Sequence, residues 1–239
     1  MDKLPAKTIG VFGGMGPEAT VLFFQRVVEL TPAQSDQEHI PIIIYNQPQI
    51  PDRTQAILGQ GESPAPALQK GIAVLENAGA EFICIPCNTA HHYFQELLEV
   101  ATAPIINLID CVVEYGMKTV PRLQKVGLLA TIGTIKARLY QNAFARRNVE
   151  VLHPEAWELN DLQSILSRLK SKNRESFAVQ KMAEGLVDKG AEAVILGCTE
   201  LSLIAAELRL PVWVFDSTEI LAQKAVRCAL NLEEPIPSL

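Results

Sequence analysis

Two stretches of this 239-residue chain repeat one another at a fixed distance, and that echo limits the possible folds more than any other feature. Gly79-Ala80-Glu81 and Gly190-Ala191-Glu192 lie 111 residues apart, the same offset that separates Cys87 from Cys198. Lys7-Thr8-Ile9-Gly10-Val11-Phe12-Gly13 is echoed by Lys125-Val126-Gly127-Leu128-Leu129-Ala130-Thr131, and residues 104–110 by residues 211–216. Self-similarity over half a chain, with the order of elements kept, argues for two related units.

Each unit reads as alternating strands and helices. Residues 8–12 form a β-branched and apolar run that ends in Gly13-Gly14-Met15-Gly16, and Pro17 is placed to open a helix over 17–30. A second strand is predicted over 41–45, a helix over 66–78 stopped by Gly79, a strand over 81–85, a helix over 91–100 and a strand over 104–108. Continuous apolar strands between helices imply parallel sheets covered on both faces. The predicted class is therefore α/β, with two pseudo-symmetric Rossmann-like halves and the site in the cleft between them. The expected division is residues 1–103 plus 216–239 against 104–215, because a last helix over 218–230 is placed to pack back on the first half. Hydrophobic residues at 48% and charged residues at 20% suit such a core-forming chain.

A net charge of −6 disfavours nucleic acid or anionic lipid as partner, since both reward clustered Lys and Arg. No apolar run reaches the roughly 18 residues of a membrane span, and Met1-Asp2-Lys3-Leu4-Pro5 leads almost at once into a strand. The expectation is a cytoplasmic protein with a small-molecule partner. Five scattered cysteines are an odd number in a chain able to build a core unaided, which is not a disulfide framework.

In open parallel sheets ligands bind at the carboxyl ends of the strands, and every unusual residue here sits at such an end. Gly14-Met15-Gly16-Pro17-Glu18-Ala19 formally satisfies G-x-G-x-x-A after a strand, yet Tyr45-Asn46 stands where a dinucleotide site wants an acid. A structural turn, or a turn whose amides line a small-anion site, are the other readings. Cys84 and Cys87 make C-x-x-C, but Cys84 falls inside a strand, so the two thiols diverge. A zinc site needs four converging ligands, and no histidine stands beside Cys198. Cys84, Cys111 and Cys228 read as core residues. Cys87 and Cys198 differ, because the repeat pairs them and each stands where a strand gives way to a helical pattern. A helix start there favours the thiolate, the form that acts as base or nucleophile. Arg53, in the loop after the second strand, carries the guanidinium geometry that suits a carboxylate. His91, His92 and His153 offer no such signal.

These residues resemble the cofactor-independent aspartate/glutamate racemase family, and within it the aspartate branch. The likeness runs through Gly13-Gly14-Met15-Gly16-Pro17, Pro48-Gln49-Ile50-Pro51-Asp52-Arg53-Thr54, Pro86-Cys87-Asn88-Thr89-Ala90-His91, Leu128-Leu129-Ala130-Thr131 and Gly197-Cys198-Thr199-Glu200. Glutamate-type members tend to carry Asp-Ser in the first turn and a histidine after the second Cys-Thr, where this chain has Gly13-Gly14-Met15 and Glu200. The resemblance implies a two-base reaction without pyridoxal phosphate or any other cofactor, and without a metal. One of Cys87 and Cys198 removes the Cα proton as thiolate, while the other delivers a proton to the opposite face as thiol. It implies substrate contacts from Met15, Gln49, Arg53, Asn88, Thr89, Thr131, Thr199 and Glu200, with Arg53 on the side-chain carboxylate and the Asn88, Thr89, Thr131 and Thr199 groups around the α-carboxylate. A homodimer is implied as well. Family members carry a substrate-contacting lysine after the second half's second strand. The matching position here is Asn160, so that cation is missing. Rival readings are a related cysteine-dependent diacid isomerase or decarboxylase, and a non-catalytic dicarboxylate-binding module.

Overall fold

In the computed structural model, residues 6–170 and 176–235 are described; the leading Met1-Asp2-Lys3-Leu4-Pro5 segment lies outside them. The first half runs β1 (Ile9–Gly13), α1 (Pro17–Leu30), β2 (Ile42–Asn46), α2 (Arg53–Ile57), α3 (Ala65–Asn77), β3 (Phe82–Cys84), α4 (Phe94–Leu98) and α5 (Leu108–Thr119). The second runs β4 (Lys125–Ala130), α6 (Ile132–Lys136), α7 (Leu139–Ala145), β5 (Glu150–Leu152), α8 (Ala156–Lys170), α9 (Ser176–Asp188), β6 (Ala193–Gly197), β7 (Trp213–Asp216) and α10 (Ser217–Ala229).

All strand pairs are parallel, in the orders β2-β1-β3 and β5-β4-β6-β7. The repeat survives at the level of register. Ile9 pairs with Phe82 in one sheet and Val126 with Ala193 in the other, and Phe82 and Ala193 are themselves 111 residues apart. The Gly-Ala-Glu echo is explained by chain reversal. Gly79 and Gly190 take φ of +97° and +96°, a region that favours glycine, and let Ala80 and Ala191 donate back to Leu75 and Leu186. Glu81 then accepts from Thr8 N, and Glu192 from Gln124 N, each at 2.6 Å, tying helix exit to sheet entry.

The halves differ where the first predicts a strand over 104–108. Only an isolated bridge between Ile83 and Ile105 forms. Pro104 has no N–H to extend the ladder, and the Asn107 side chain accepts from Ile109 N and Asp110 N to cap α5. The helix expected over 91–100 is a 3-10 turn, Thr89–Tyr93, followed by the short α4. Cys198 is likewise followed by a 3-10 segment, Leu201–Glu207. Neither cysteine therefore opens an α-helix, and the expected help from a helix N-terminus is withdrawn.

Three apolar cores divide the interior. One is outer to the first half, around Phe12, Leu68 and Ile85, and one is outer to the second half, around Leu162, Val179 and Leu201. The third is shared: Val11 and Phe23 of the first half pack in one cluster with Val126, Phe144 and Phe215 of the second. Helix α10 contacts the first half, where Glu219 receives Arg26 Nε at 2.6 Å and Ala229 O accepts from Lys7 N at 2.8 Å. Among the described residues no helix is long and apolar enough to cross a membrane.

Candidate active site

Where the carboxyl ends of the two sheets meet, a cavity opens to solvent. Cys87 and Cys198 both line it, at 5% and 6% exposure, one from each half. The other three cysteines are buried and line no part of it. Burial pushes the Cys111 thiol up to about 12 and the Cys228 thiol up to about 11, and that of Cys84 well above its usual value, so these remain protonated core groups.

The backbone at Cys87 is held from both sides. Its N–H donates to Ile85 O at 2.7 Å, and its carbonyl lies 2.9 Å from His91 Nδ1. Leu108 N donates to His91 Nε2 at 3.0 Å, which makes Nε2 an acceptor and places the ring proton on Nδ1, facing the Cys87 carbonyl. Desolvation lowers the His91 pKa to about 4, so the imidazole is neutral at pH 7. His91 is therefore a support for the Cys87 turn, a role the sequence did not announce.

At the other cysteine, Cys198 Sγ donates to Glu200 Oε2 at 2.9 Å. Glu200 is 4% exposed, and a methyl group placed on Gly16 would stand 3.4 Å from its Oε1, so the glycine turn and this carboxylate meet at the cavity. The turn itself is sterically exacting. Gly14 has φ of +99°, and a Cβ there would lie 2.4 Å from the Gln47 backbone. Thr20 Oγ1 accepts from Gly14 N at 2.9 Å. The turn's own contribution to the cavity is Met15.

Hydroxyls form the floor. Thr131 Oγ1 caps α6 by accepting from Thr134 N, and the Oγ1 atoms of Thr89, Thr131 and Thr134 stand pairwise 2.9, 2.9 and 3.0 Å apart. Thr89 comes from the first half and the other two from the second, so this triangle also joins the halves. Thr199, 2% exposed, adds a fourth hydroxyl. Asn88 lines the cavity too, but its side-chain amide is engaged by Tyr140 and Ser217.

Arg53 enters from the first turn of α2, which Asp52 caps by accepting from Gln55 N at 2.8 Å. Its Nη1 donates to Ile50 O and Pro51 O at 3.4 and 3.3 Å, whereas its buried Nε has no acceptor among the described residues. A buried donor without acceptor is costly, and a carboxylate satisfies it. One expected contact is not formed here: Gln49 is exposed and does not line the cavity. Asn160 lies on α8 and is also exposed; three residues on, Gln163 reaches the wall and accepts from Ile132 N at 3.3 Å. Gln163, Asp52 and Thr54 are lining residues that sequence reasoning missed. Among the described residues no cluster of His, Cys, Asp and Glu is arranged to hold a metal.

Comparison with known proteins places this arrangement. The family model described as Asp/Glu/Hydantoin racemase matches residues 12–225, which includes both cysteine turns. An aspartate racemase of Picrophilus torridus superposes with a TM-score of 0.81 at 32% identity, covering 93% of this chain and 94% of that one. An aspartate racemase homologue from Pyrococcus horikoshii OT3 follows at TM-score 0.72 and 29% identity, over 93% and 99% of the two chains. The broad specificity amino-acid racemase RacX of Bacillus subtilis is 27% identical over 91% of this chain and 96% of its own length. With a match that spans nearly its whole length and a close structural counterpart at 32% identity, the chain belongs to the Asp/Glu/Hydantoin racemase family.

Proposed function

We propose that this protein is a cofactor-independent aspartate racemase that works by a two-base mechanism with Cys87 and Cys198. One observation carries the reading: the two thiols, delivered by matching turns of the two halves, line a single cavity. A substrate held between them presents opposite faces of its Cα to the two sulfurs. The thiolate on one side takes the Cα proton and becomes a thiol; the carbanion, drawn into the α-carboxylate as an enediolate, takes a proton from the thiol on the other side, which becomes the thiolate. The enantiomer leaves a site whose two sulfurs have exchanged roles.

The difficult step is the carbanion, and oriented donors lower its cost most when they are fixed in advance. Thr89, Thr131 and Thr199 hydroxyls support the developing charge, and the Asn88 backbone contributes its amide. Glu200 holds the Cys198 proton when that sulfur acts as acid. Arg53 Nε meets the side-chain carboxylate. A broader substrate range is the second reading, and one observation favours it: among the described lining residues Arg53 is the one cation, whereas Asp52 and Glu200 are acids. The homodimer and the cytoplasmic location belong to the same proposal; sedimentation velocity of the purified chain tests the first.

The deciding experiment incubates the protein with L-aspartate in deuterated water without added cofactor, and follows chirality and the Cα proton by NMR. D-Aspartate carrying deuterium at Cα is expected from the wild type, and neither Cys87→Ala nor Cys198→Ala forms it. Exchange without inversion would point to an isomerase or decarboxylase-like partial reaction. No change in aspartate or in a wider amino-acid panel would leave only ligand binding and refute the racemase reading.

A further inference from the structure

Two sulfurs can share one Cα only if the distance between the segments that carry them is held. Asn88 directly follows Cys87, yet both ends of its side-chain amide are engaged by the second half. Tyr140 Oη donates to Asn88 Oδ1 at 2.5 Å, and Asn88 Nδ2 donates to Ser217 Oγ at 3.0 Å. Ser217 in turn donates to the carbonyl of Leu196 at 2.7 Å, two residues before Cys198. Tyr140 and Ser217 are both 0% exposed and Asn88 is 2% exposed. A buried run of hydrogen bonds thus leads from the residue after one cysteine to the strand that delivers the other.

The direction of that run is fixed by chemistry. An amide oxygen only accepts, so the phenol must donate to it, and burial raises the Tyr140 pKa well above 10, which keeps the proton on the oxygen. The hydroxyl triangle of Thr89, Thr131 and Thr134 is a separate bridge between the halves, so the fold does not hang on Tyr140 alone.

We propose that Tyr140 is a positioning residue, which acts through Asn88 and Ser217 to set the spacing between the Cys87 turn and the Cys198 strand. The proposal rests on the two-cysteine reading above. It assigns Tyr140 no contact with substrate. Without the phenol oxygen, Asn88 Oδ1 loses its donor, the amide is free to turn, and the Cys87 turn shifts against β6. Misplacement of a reacting group by a fraction of its van der Waals radius lowers turnover far more than it lowers binding.

The test compares Tyr140→Phe, Ser217→Ala and the double variant with Phe144→Leu, a change on the same helix at another fully buried ring. Racemisation kinetics with aspartate and amide hydrogen exchange over residues 87–90 are both measured. Tyr140→Phe is expected to lower kcat by about tenfold or more with KM within about twofold, and to speed exchange over 87–90. Ser217→Ala should do the same, and the double variant no worse than the worse single, because one bracket is being opened. Phe144→Leu should lower the melting temperature and leave kcat and that exchange unchanged. If Tyr140→Phe keeps its turnover, or if its losses in both readouts match those of Phe144→Leu, the proposal is overturned. Should the wild type not racemise any amino acid, the two-cysteine reading fails separately, and the exchange comparison still decides whether Tyr140 holds the turn.

Discussion

Arg53 and Gln163 face the same cavity with different chemistry, and the difference bears on which amino acid the site prefers. Arg53 offers a charged donor, whereas Gln163 has its Oε1 engaged by Ile132 N and offers a neutral amide. Gln163→Lys adds a second cation to a wall with two acids. Its expected effect is to raise the aspartate over asparagine ratio of kcat/KM by about tenfold, the scale of one charge-assisted hydrogen bond, read from parallel racemisation assays. His91 supports a prediction about pH. Between the unfolded value of 6.5 and the folded value of about 4, the unfolded chain binds a proton that the folded chain refuses. Stability contributed by His91 is therefore full above about pH 6.5 and is lost as pH falls through that window, by on the order of 3 kcal/mol. Asp110 and Asp216, whose carboxyls burial holds above the usual range, act in the opposite sense. The clean measurement is the difference between wild type and His91→Gln in urea melts from pH 7 to pH 4, where the wild type should show the steeper fall.

Short elements set the site's precision. The first turn of α2 presses on α6 so closely that a Cβ on Gly133 would lie 2.7 Å from Thr54 Oγ1 and 3.0 Å from Thr54 Cα. Gly133→Ala gains helix propensity of roughly 1 kcal/mol but pushes α2 away, carrying Arg53 with it. KM for aspartate is expected to rise about tenfold while the melting temperature moves by only a few degrees, a split that steady-state kinetics and calorimetry separate. At this scale the sequence was partly legible. The helix over 17–30 is bounded as expected, because Pro17 opens it and Thr31, extended ahead of Pro32, ends it. The strand ends, and hence the placing of both cysteines, followed from apolar runs. What failed depended on contacts between distant residues. A 3-10 turn and an α-helix share much the same local composition, so the segment after each cysteine was misread. Asn160 and Gln163 differ only in phase about α8, and the packing of Leu159, Leu162 and Leu166 decides which one meets the cavity. Tyr140 and His91 acquire their roles from partners 52 and 17 residues away, which no local pattern encodes.

Over the whole molecule, the shared core makes the two halves one cooperative body. Phe23 and Val27 of α1 pack in the same cluster as Phe144 and Phe215, so neither half can lose its packing without exposing apolar surface of the other. Thermal unfolding should therefore be a single transition. Trp157 and Trp213 both report on the second half, so their fluorescence should coincide with the far-UV circular dichroism of the whole chain. Separate midpoints would show that the halves unfold independently. The same helix that joins the halves imposes an order on synthesis. The inner face of α10, with Leu221, Ala222, Ala225 and Val226 buried, packs in the shared core, and Glu219 pairs with Arg26 on α1. Since α10 follows α1 by about two hundred residues in the chain, α1 emerges from the ribosome well before the partner that covers it. The nascent first half must therefore carry an uncovered apolar face until α10 has been made, a state that favours chaperone capture over early closure.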